Sequence, residues 1–275
     1  LKSVFRGNLD AKKKKTMERK IDYAILRSFS DKYDLSETPA LISLVNKMSP
    51  YVRKTIVIVN GKKDAGNTPE LLKYQCSNLV HNGQLESVVL QDYDWSVALN
   101  EGLRKSPPRR PNTTRLMIST EVSPTPEQLI EMQEQTLRGN GFTTGSYAIF
   151  AGRNEDTYSL PRNTFTIWNA DAMHGFKFNE QLDAKHGKQG MEDVYMGLAL
   201  CAKKRLLPSL GPVDAEVSIR AGVNMEEKTR KERETIREYL EQFDSATIKT
   251  YFGAINATLI SKGRGGIPAF SELLK

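Results

Sequence analysis

Four short apolar runs, set roughly thirty residues apart, constrain this chain more than any other feature of its sequence. They are Tyr23 to Phe29 (YAILRSF), Thr55 to Val59 (TIVIV), Leu85 to Leu90 (LESVVL) and Arg115 to Ser119 (RLMIS). Unbroken Ile/Val/Leu runs of this length are what strands covered on both faces look like, and their spacing is that of one strand–helix–strand unit. The pattern predicts an α/β/α sandwich on a mostly parallel central sheet. Helix starts agree with it. Thr38-Pro39, Thr68-Pro69 and Thr125-Pro126 each follow a strand, with Thr as the expected N-cap and Pro preset for the first turn. Thr125 to Gln128 has the spacing of a capping box.

Beyond residue 140 the period is lost. Gly139, Gly141, Gly145 and Gly152 punctuate a hairpin or loop region. The β-prone Thr164 to Trp168 follows, then Met191 to Lys203, whose apolar spacing reads as helix. Glu226 to Phe243 is highly charged with one apolar stripe and predicts a surface helix, 246–260 another, and Lys262 to Ile267 a loop. The organisation expected is a basic arm over 1–20, one large α/β domain over 21–222 and a C-terminal helical extension over 223–275.

Composition narrows the function. A chain of 275 residues with 39% apolar and 27% charged residues and a mean hydropathy of −0.49 has no apolar run near the roughly 18 needed to span a bilayer. Two cysteines make no disulfide framework, so a reducing, cytoplasmic setting is expected. The net charge of +7 is local: residues 1–20 hold eight basic against two acidic side chains, six of those seven charges. Such an arm either is simply solvated or touches an anionic surface, including the inner face of a membrane. It lacks the apolar segment of a secretory signal. The nearly neutral body, without an aromatic RNA-binding signature, argues against a nucleic-acid partner.

In an open α/β sheet, ligands sit beyond the carboxyl ends of the strands. The residues there are Ser28, Ser30 and Asp31; Asn60 to Asp64; Asp92 to Asp94; and Ser119-Thr120-Glu121. This mixture of hydroxyls, carboxylates and lysines suits a ligand combining a base, a ribose and a diphosphate. No dinucleotide fingerprint, Walker loop or nucleophile elbow is present, and there are only three histidines, which sets aside nicotinamide oxidoreductases, P-loop NTPases and serine hydrolases. Glu192 and Asp193 open a predicted helix, where the dipole favours carboxylates and where one can also serve as a general base.

Four segments in order resemble glycosyltransferase family 2, the nucleotide-sugar-dependent transferases of the GT-A fold, over roughly residues 21–215. Ile58 to Asp64 (IVNGKKD) looks like the family's V-D-D-G-S-T-D segment. Ala98 to Leu103 (ALNEGL) is similar to A-x-N-x-G-(I/L). Gly175 to Glu180 (GFKFNE), followed by Gly190 to Asp193 (GMED), looks like the G-x-F-(D/N)-E … G-x-E-D block. One departure stands out: the family's metal-holding D-x-D after the fourth strand reads Ser119-Thr120-Glu121 here.

The resemblance implies transfer of a sugar from a nucleoside diphosphate sugar, with UDP-sugar the leading donor, to an acceptor hydroxyl, with inversion. It implies Asp193 as base supported by Glu192; nucleotide contacts from Ser28, Asn60, Lys62, Asp64, Asn100 and Ser119; and Trp168, Asn169 and Asp171 on the sugar and acceptor side. Mn²⁺ or Mg²⁺ would bind at Glu121, weakly and with the nucleotide's help, because hard cations gain affinity from charged oxygen ligands. Two competitors remain, a non-catalytic nucleotide-sugar-binding protein of the same fold and an RNA-associated module using the basic arm.

Overall fold

Every residue of the first strand, β1 (Ile21–Ser28), is buried, because β1 is covered on both faces and paired along both edges. It runs parallel to β2 (Val52–Val59) on one side and to β4 (Thr114–Ile118) on the other, and β2 runs parallel to β3 (Leu85–Val89). The computed structural model describes residues 20–28, 37–59, 67–91, 95–120, 122–144, 147–151, 157–161, 165–181, 192–204, 209–210 and 234–261. All four apolar runs are therefore strands, and the fold is α/β with a mostly parallel core.

The sheet continues from β4 with reversed polarity. β8 (Phe165–Asn169) is antiparallel to β4, β5 (Phe142–Thr144) is antiparallel to β8, and β9 (Ser209–Leu210) is parallel to β5. The strand order is β3-β2-β1-β4-β8-β5-β9, while β6 (Tyr147–Ala151) and β7 (Thr157–Pro161) form a separate hairpin in the glycine-punctuated region.

Side-chain alternation sorts the helices onto two faces. One face carries Ala24, Leu26, Val57, Val59, Leu116 and Ile118, which pack with α1 (Glu37–Met48), α2 (Thr68–Gln75), the short α3 (Ser77–His81) and α5 (Pro126–Gln135). The other carries Ile25, Met117 and Trp168, which pack with α4 (Trp95–Lys105), the 170–180 segment and α6 (Glu192–Lys204). Beyond these lie a helix over 234–240, α7, and α8 (Ser245–Ser261). The expected helix over 226–243 is thus seen from 234, and its earlier part, like the basic arm before Lys20 and the 262–267 loop, lies outside the described residues. Among the described residues no helix is long and apolar enough to cross a membrane. Cys76 and Cys201 are free and buried.

One of the three expected threonine caps forms. Thr125 accepts from the Gln128 backbone N–H, and the Gln128 side chain accepts from the Thr125 N–H, completing the capping box. Thr38 and Thr68 correct the other two: each lies inside its helix, and their hydroxyls bond each other at 2.8 Å, tying α1 to α2. Asn67 holds the cap position of α2 without a side-chain bond. The sequence spacing was right for the helices, but tertiary proximity gave these two hydroxyls a better partner than their own backbone.

Two glycines permit close helix approaches. A Cβ on Gly102 would lie 2.5 Å from Ile25 Cγ2, so glycine is what lets α4 sit down on β1. Gly197 of α6 likewise meets the ring and hydroxyl of Tyr251, seating α8 on α6. Overpacking at such contacts costs roughly 1–3 kcal/mol. Gly102→Ala is expected to lower unfolding free energy in denaturant by about that amount, and in an Ile25→Ala background, where the clashing Cγ2 is absent, the same change should cost clearly less. No loss in the single variant would mean that α4 is free to lift off the sheet.

Candidate active site at the ends of the central strands

The order of the parallel strands reverses at β1: β2 and β3 lie to one side and β4 to the other. Connections leave in opposite directions there, which opens a crevice outside the carboxyl ends of β1 and β4. The two residues at that crevice are Ser28 and Ser119. They are 1% and 5% exposed, and neither hydroxyl has a hydrogen-bond partner among the described residues. Buried polar atoms are nearly always satisfied, so two orphans at adjacent strand ends point to a polar group that none of the described residues supplies.

A third strand-end residue was passed over in the sequence. Arg27 interrupts an otherwise apolar strand, and Nη1 donates to Glu192 Oε1 at 3.1 Å, with side-chain exposures of 5% and 13%. A buried guanidinium needs a carboxylate, and Glu192 in the first turn of α6 supplies it. This pair fixes the start of α6 against the end of β1. Continuing the β1–β4 register past Leu26 and Ile118 sets Arg27 beside Ser119. The signal in the sequence was a lone arginine one residue before a strand end.

Asp193 follows Glu192 in the same first turn and is 6% exposed. Its charge acts on Tyr251, whose hydroxyl is pushed well above its ordinary range by burial first and by Asp193 and Cys201 second. The structure therefore brings Ser28, Ser119, Glu192 and Asp193 to one end of the sheet and adds Arg27 to them.

Asn100 has a different setting. Its amide nitrogen donates to the Phe178 carbonyl at 3.1 Å and to Glu180 Oε1 at 2.9 Å, and its oxygen accepts from the Phe178 N–H at 2.8 Å. It clamps the GFKFNE segment onto α4. Ala98, fully buried against Tyr23, and Gly102, over Ile25, give the rest of the ALNEGL segment a packing reason.

The proposed sugar-side residues lie elsewhere. Because β8 is antiparallel to β4, Asn169 sits opposite Thr114, at the end of β4 remote from Ser119. Asn169 donates to Asn112 Oδ1, and Asp171 Oδ2 accepts from the Asn112 N–H at 3.0 Å, bracing the left-handed residue before β4. Trp168 is wholly buried in the core and offers no ring face to a sugar. These placements correct the expectation for all three; strand polarity, which reversed them, is not written in the apolar pattern. Asn60, Lys62, Asp64 and Glu121 lie outside the described residues.

Among the described residues no group of three or more His, Cys, Asp or Glu is placed to hold a metal. The orphaned Ser119 hydroxyl fits a single oxygen ligand to a hard cation, and Glu192 is engaged by Arg27.

No family model and no curated protein matches this sequence. Solved structures do resemble it. The mannosyltransferase of Pyrobaculum calidifontis, in complex with GDP-Man and Mn²⁺, is 11% identical with a TM-score of 0.60, over 93% of this chain and 79% of that one. Glucosyl-3-phosphoglycerate synthase of Mycobacterium tuberculosis, in complex with Mg²⁺ and UDP, is 15% identical with a TM-score of 0.53, over 87% and 84%. A mycobacterial protein is 14% identical with a TM-score of 0.51, over 84% and 78%. The fold is thus α/β of the GT-A-like kind, and at these identities the likeness is one of fold.

The Arg27–Glu192 pair yields a stability test. Removing one partner of a buried ion pair costs about 3–5 kcal/mol, whereas replacing both with apolar groups of similar volume is often near neutral. Arg27→Met should lower the denaturation midpoint strongly, and Arg27→Met with Glu192→Leu should restore most of it. A double variant as unstable as the sum of the singles would show that the two charges are not coupled.

Proposed function

We propose that the chain transfers a sugar from a nucleoside diphosphate sugar to an acceptor hydroxyl at the crevice between β1 and β4. The observation that carries this reading is the pair of orphaned, buried hydroxyls of Ser28 and Ser119 at the topological switch point of a GT-A-like sheet, beside the buried cation Arg27. A nucleotide seated there supplies polar oxygens to both hydroxyls, and its diphosphate meets positive charge from Arg27, with Lys62, which follows β2 in the sequence, in support. Leaving-group charge develops on the diphosphate as the anomeric bond breaks, so fixed positive charge there lowers the barrier.

The acceptor hydroxyl is a weak nucleophile, and Asp193 is the proposed base that takes its proton during attack on the anomeric carbon. Glu192 holds Arg27 and so positions the cation rather than touching the acceptor. A divalent ion, when bound, adds Lewis-acid charge at the diphosphate; Ser119 and Glu121 are the side chains that would hold it. UDP-sugar as donor and inversion at the anomeric carbon belong to this proposal through the resemblance of the motif segments.

Binding without turnover is the second reading, and a specific observation favours it. Glu192 is committed to Arg27, and Asp193 is buried with its charge acting on Tyr251.

Asp193→Asn decides between the two. Loss of a general base costs roughly two to four powers of ten, so the variant should lose UDP-glucose or GDP-mannose turnover by that factor while UDP binding by calorimetry stays within about threefold. A parent that binds nucleotide and never consumes sugar donor supports the second reading. A protein that binds no nucleotide contradicts both.

The metal gives an independent check. With a hydroxyl in place of the first D-x-D aspartate, Mn²⁺ should bind the protein alone only weakly and bind clearly once UDP adds its diphosphate oxygens. Ser119→Asp should strengthen the ion's affinity, and Glu121→Ala should remove the nucleotide dependence. Tight Mn²⁺ binding without nucleotide, indifferent to both changes, would place the ion elsewhere.

A further inference from the structure

A cavity of about 520 Å³ opens on the other end of the same face, between α4 and the 170–180 segment, and none of Arg27, Ser28, Ser119, Glu192 or Asp193 lines it. Its walls are largely apolar, with Leu90, Val97, Leu103, Pro108, Met173 and Phe176 among them. Set into this wall is Arg115, 5% exposed, in the second position of β4. It stands four residue steps along the strand from Ser119, about 13 Å at some 3.3 Å per residue.

Arg115 is a buried cation with no buried anion beside it among the described residues. Its Nε and Nη2 both donate to one acceptor, the Ser106 carbonyl just past the end of α4, at 2.8 and 2.5 Å. A guanidinium has five N–H groups, so three find no protein acceptor among the described residues. No carboxylate stands within ion-pair distance of it among the described residues; Asp171 acts on it only from further away. The negative end of α4 partly compensates the charge. Burial still holds the guanidinium below its ordinary pKa range, and Tyr23 and Asp171 oppose that shift.

The rest of the polar lining is Asn100, Glu101, Arg104, His174, Lys177 and Glu180. Glu101 is taken by Arg104, and Glu180 accepts from Asn100. Lys177 is exposed, and among the described residues it has no carboxylate partner. With Glu101 paired to Arg104, what remains is Arg115 in the wall and Lys177 at the rim against the single carboxylate of Glu180, a positive balance. From this arrangement we propose a second binding site, distinct from the strand-end crevice, for a small organic anion with an apolar body and a carboxylate or phosphate head placed on Arg115. Cavities of this size accept ligands of one or two rings, and the inference holds whether or not the strand-end site turns over.

The test uses the full chain and three probes at constant ionic strength: phenyl phosphate, benzoate, and phenol as the neutral control. Calorimetry should show saturable one-to-one binding of at least one anion and none of phenol, and the tighter of the two anions identifies the head group. Saturating UDP should leave that affinity unchanged. Arg115→Met should weaken binding about tenfold or more, as expected for a buried charge-assisted hydrogen bond. Because Arg115 also holds Ser106, that variant can fail to fold. Lys177→Glu, on the exposed rim, keeps the test open, and it should weaken binding by at least about two- to fivefold with an unchanged melting temperature. The proposal is overturned if neither anion binds, if phenol binds as tightly as the anions, if UDP displaces them, or if Lys177→Glu leaves their affinity intact.

Discussion

A strand paired in parallel along both edges and covered on both faces leaves no place for water, and β1 imposes that condition on everything around it. Its eight residues must be apolar or fully compensated. Five meet the requirement with uncharged side chains, and Ser28 is the exception, its hydroxyl unpaired among the described residues. The two charged ones, Asp22 and Arg27, lie near opposite ends, and each recruits a separate part of the chain. Asp22 Oδ2 accepts from the Thr114 N–H at 2.9 Å, and Oδ1 meets Arg110 and Arg53, so the start of β4 is registered against the start of β1. Arg27 recruits Glu192 and with it the N-terminus of α6. The crevice between β1 and β4, with two serine hydroxyls unpaired among the described residues, is the consequence of that strand order with those two anchors.

Much of this was legible in the residues and some was not, for identifiable reasons. The four parallel strands were legible because burial on both faces demands unbroken apolar runs. Helix starts were legible from Thr-Pro pairs, although only Thr125 caps as the pairs suggest, because Thr38 and Thr68 find each other across two helices. Of the segments similar to glycosyltransferase motifs, ALNEGL lies within α4 and has an architectural role: Asn100 clamps the Phe178 segment and Gly102 admits Ile25. What escaped were the charges inside strands. Asp22, Arg27 and Arg115 look like interruptions in an apolar pattern, and their partners at 114, 192 and 106 are too remote in sequence for periodicity to supply. The reversed polarity of β8 escaped as well, which is why Asn169 and Asp171 were expected at the wrong end of β4.

The fold alone does not confer the activity, since one sheet architecture serves many chemistries. The chemical case rests on a small set of side chains whose environments differ sharply. Among the described residues, Arg27 is a compensated buried cation beside orphaned hydroxyls, Asp193 is a carboxylate enclosed at a helix start, and Arg115 is a cation compensated only by a carbonyl and a helix end. On the proposed reading, the first two give a diphosphate its place and a proton acceptor next to it. The third lies on the same face of the sheet, about 13 Å away along β4, where the 170–180 segment clamped by Asn100 forms part of the wall.

The most direct measurement is a crystal structure of the full chain with UDP and Mn²⁺, with the ion located by its anomalous signal. The account predicts the diphosphate in the crevice beyond β1 and β4, with an oxygen or the ion in contact with Ser119 and the Arg27–Glu192 pair alongside. A nucleotide bound at the other end of β4, beside Asn169 and Asp171, or along the β3 edge of the sheet, would contradict it.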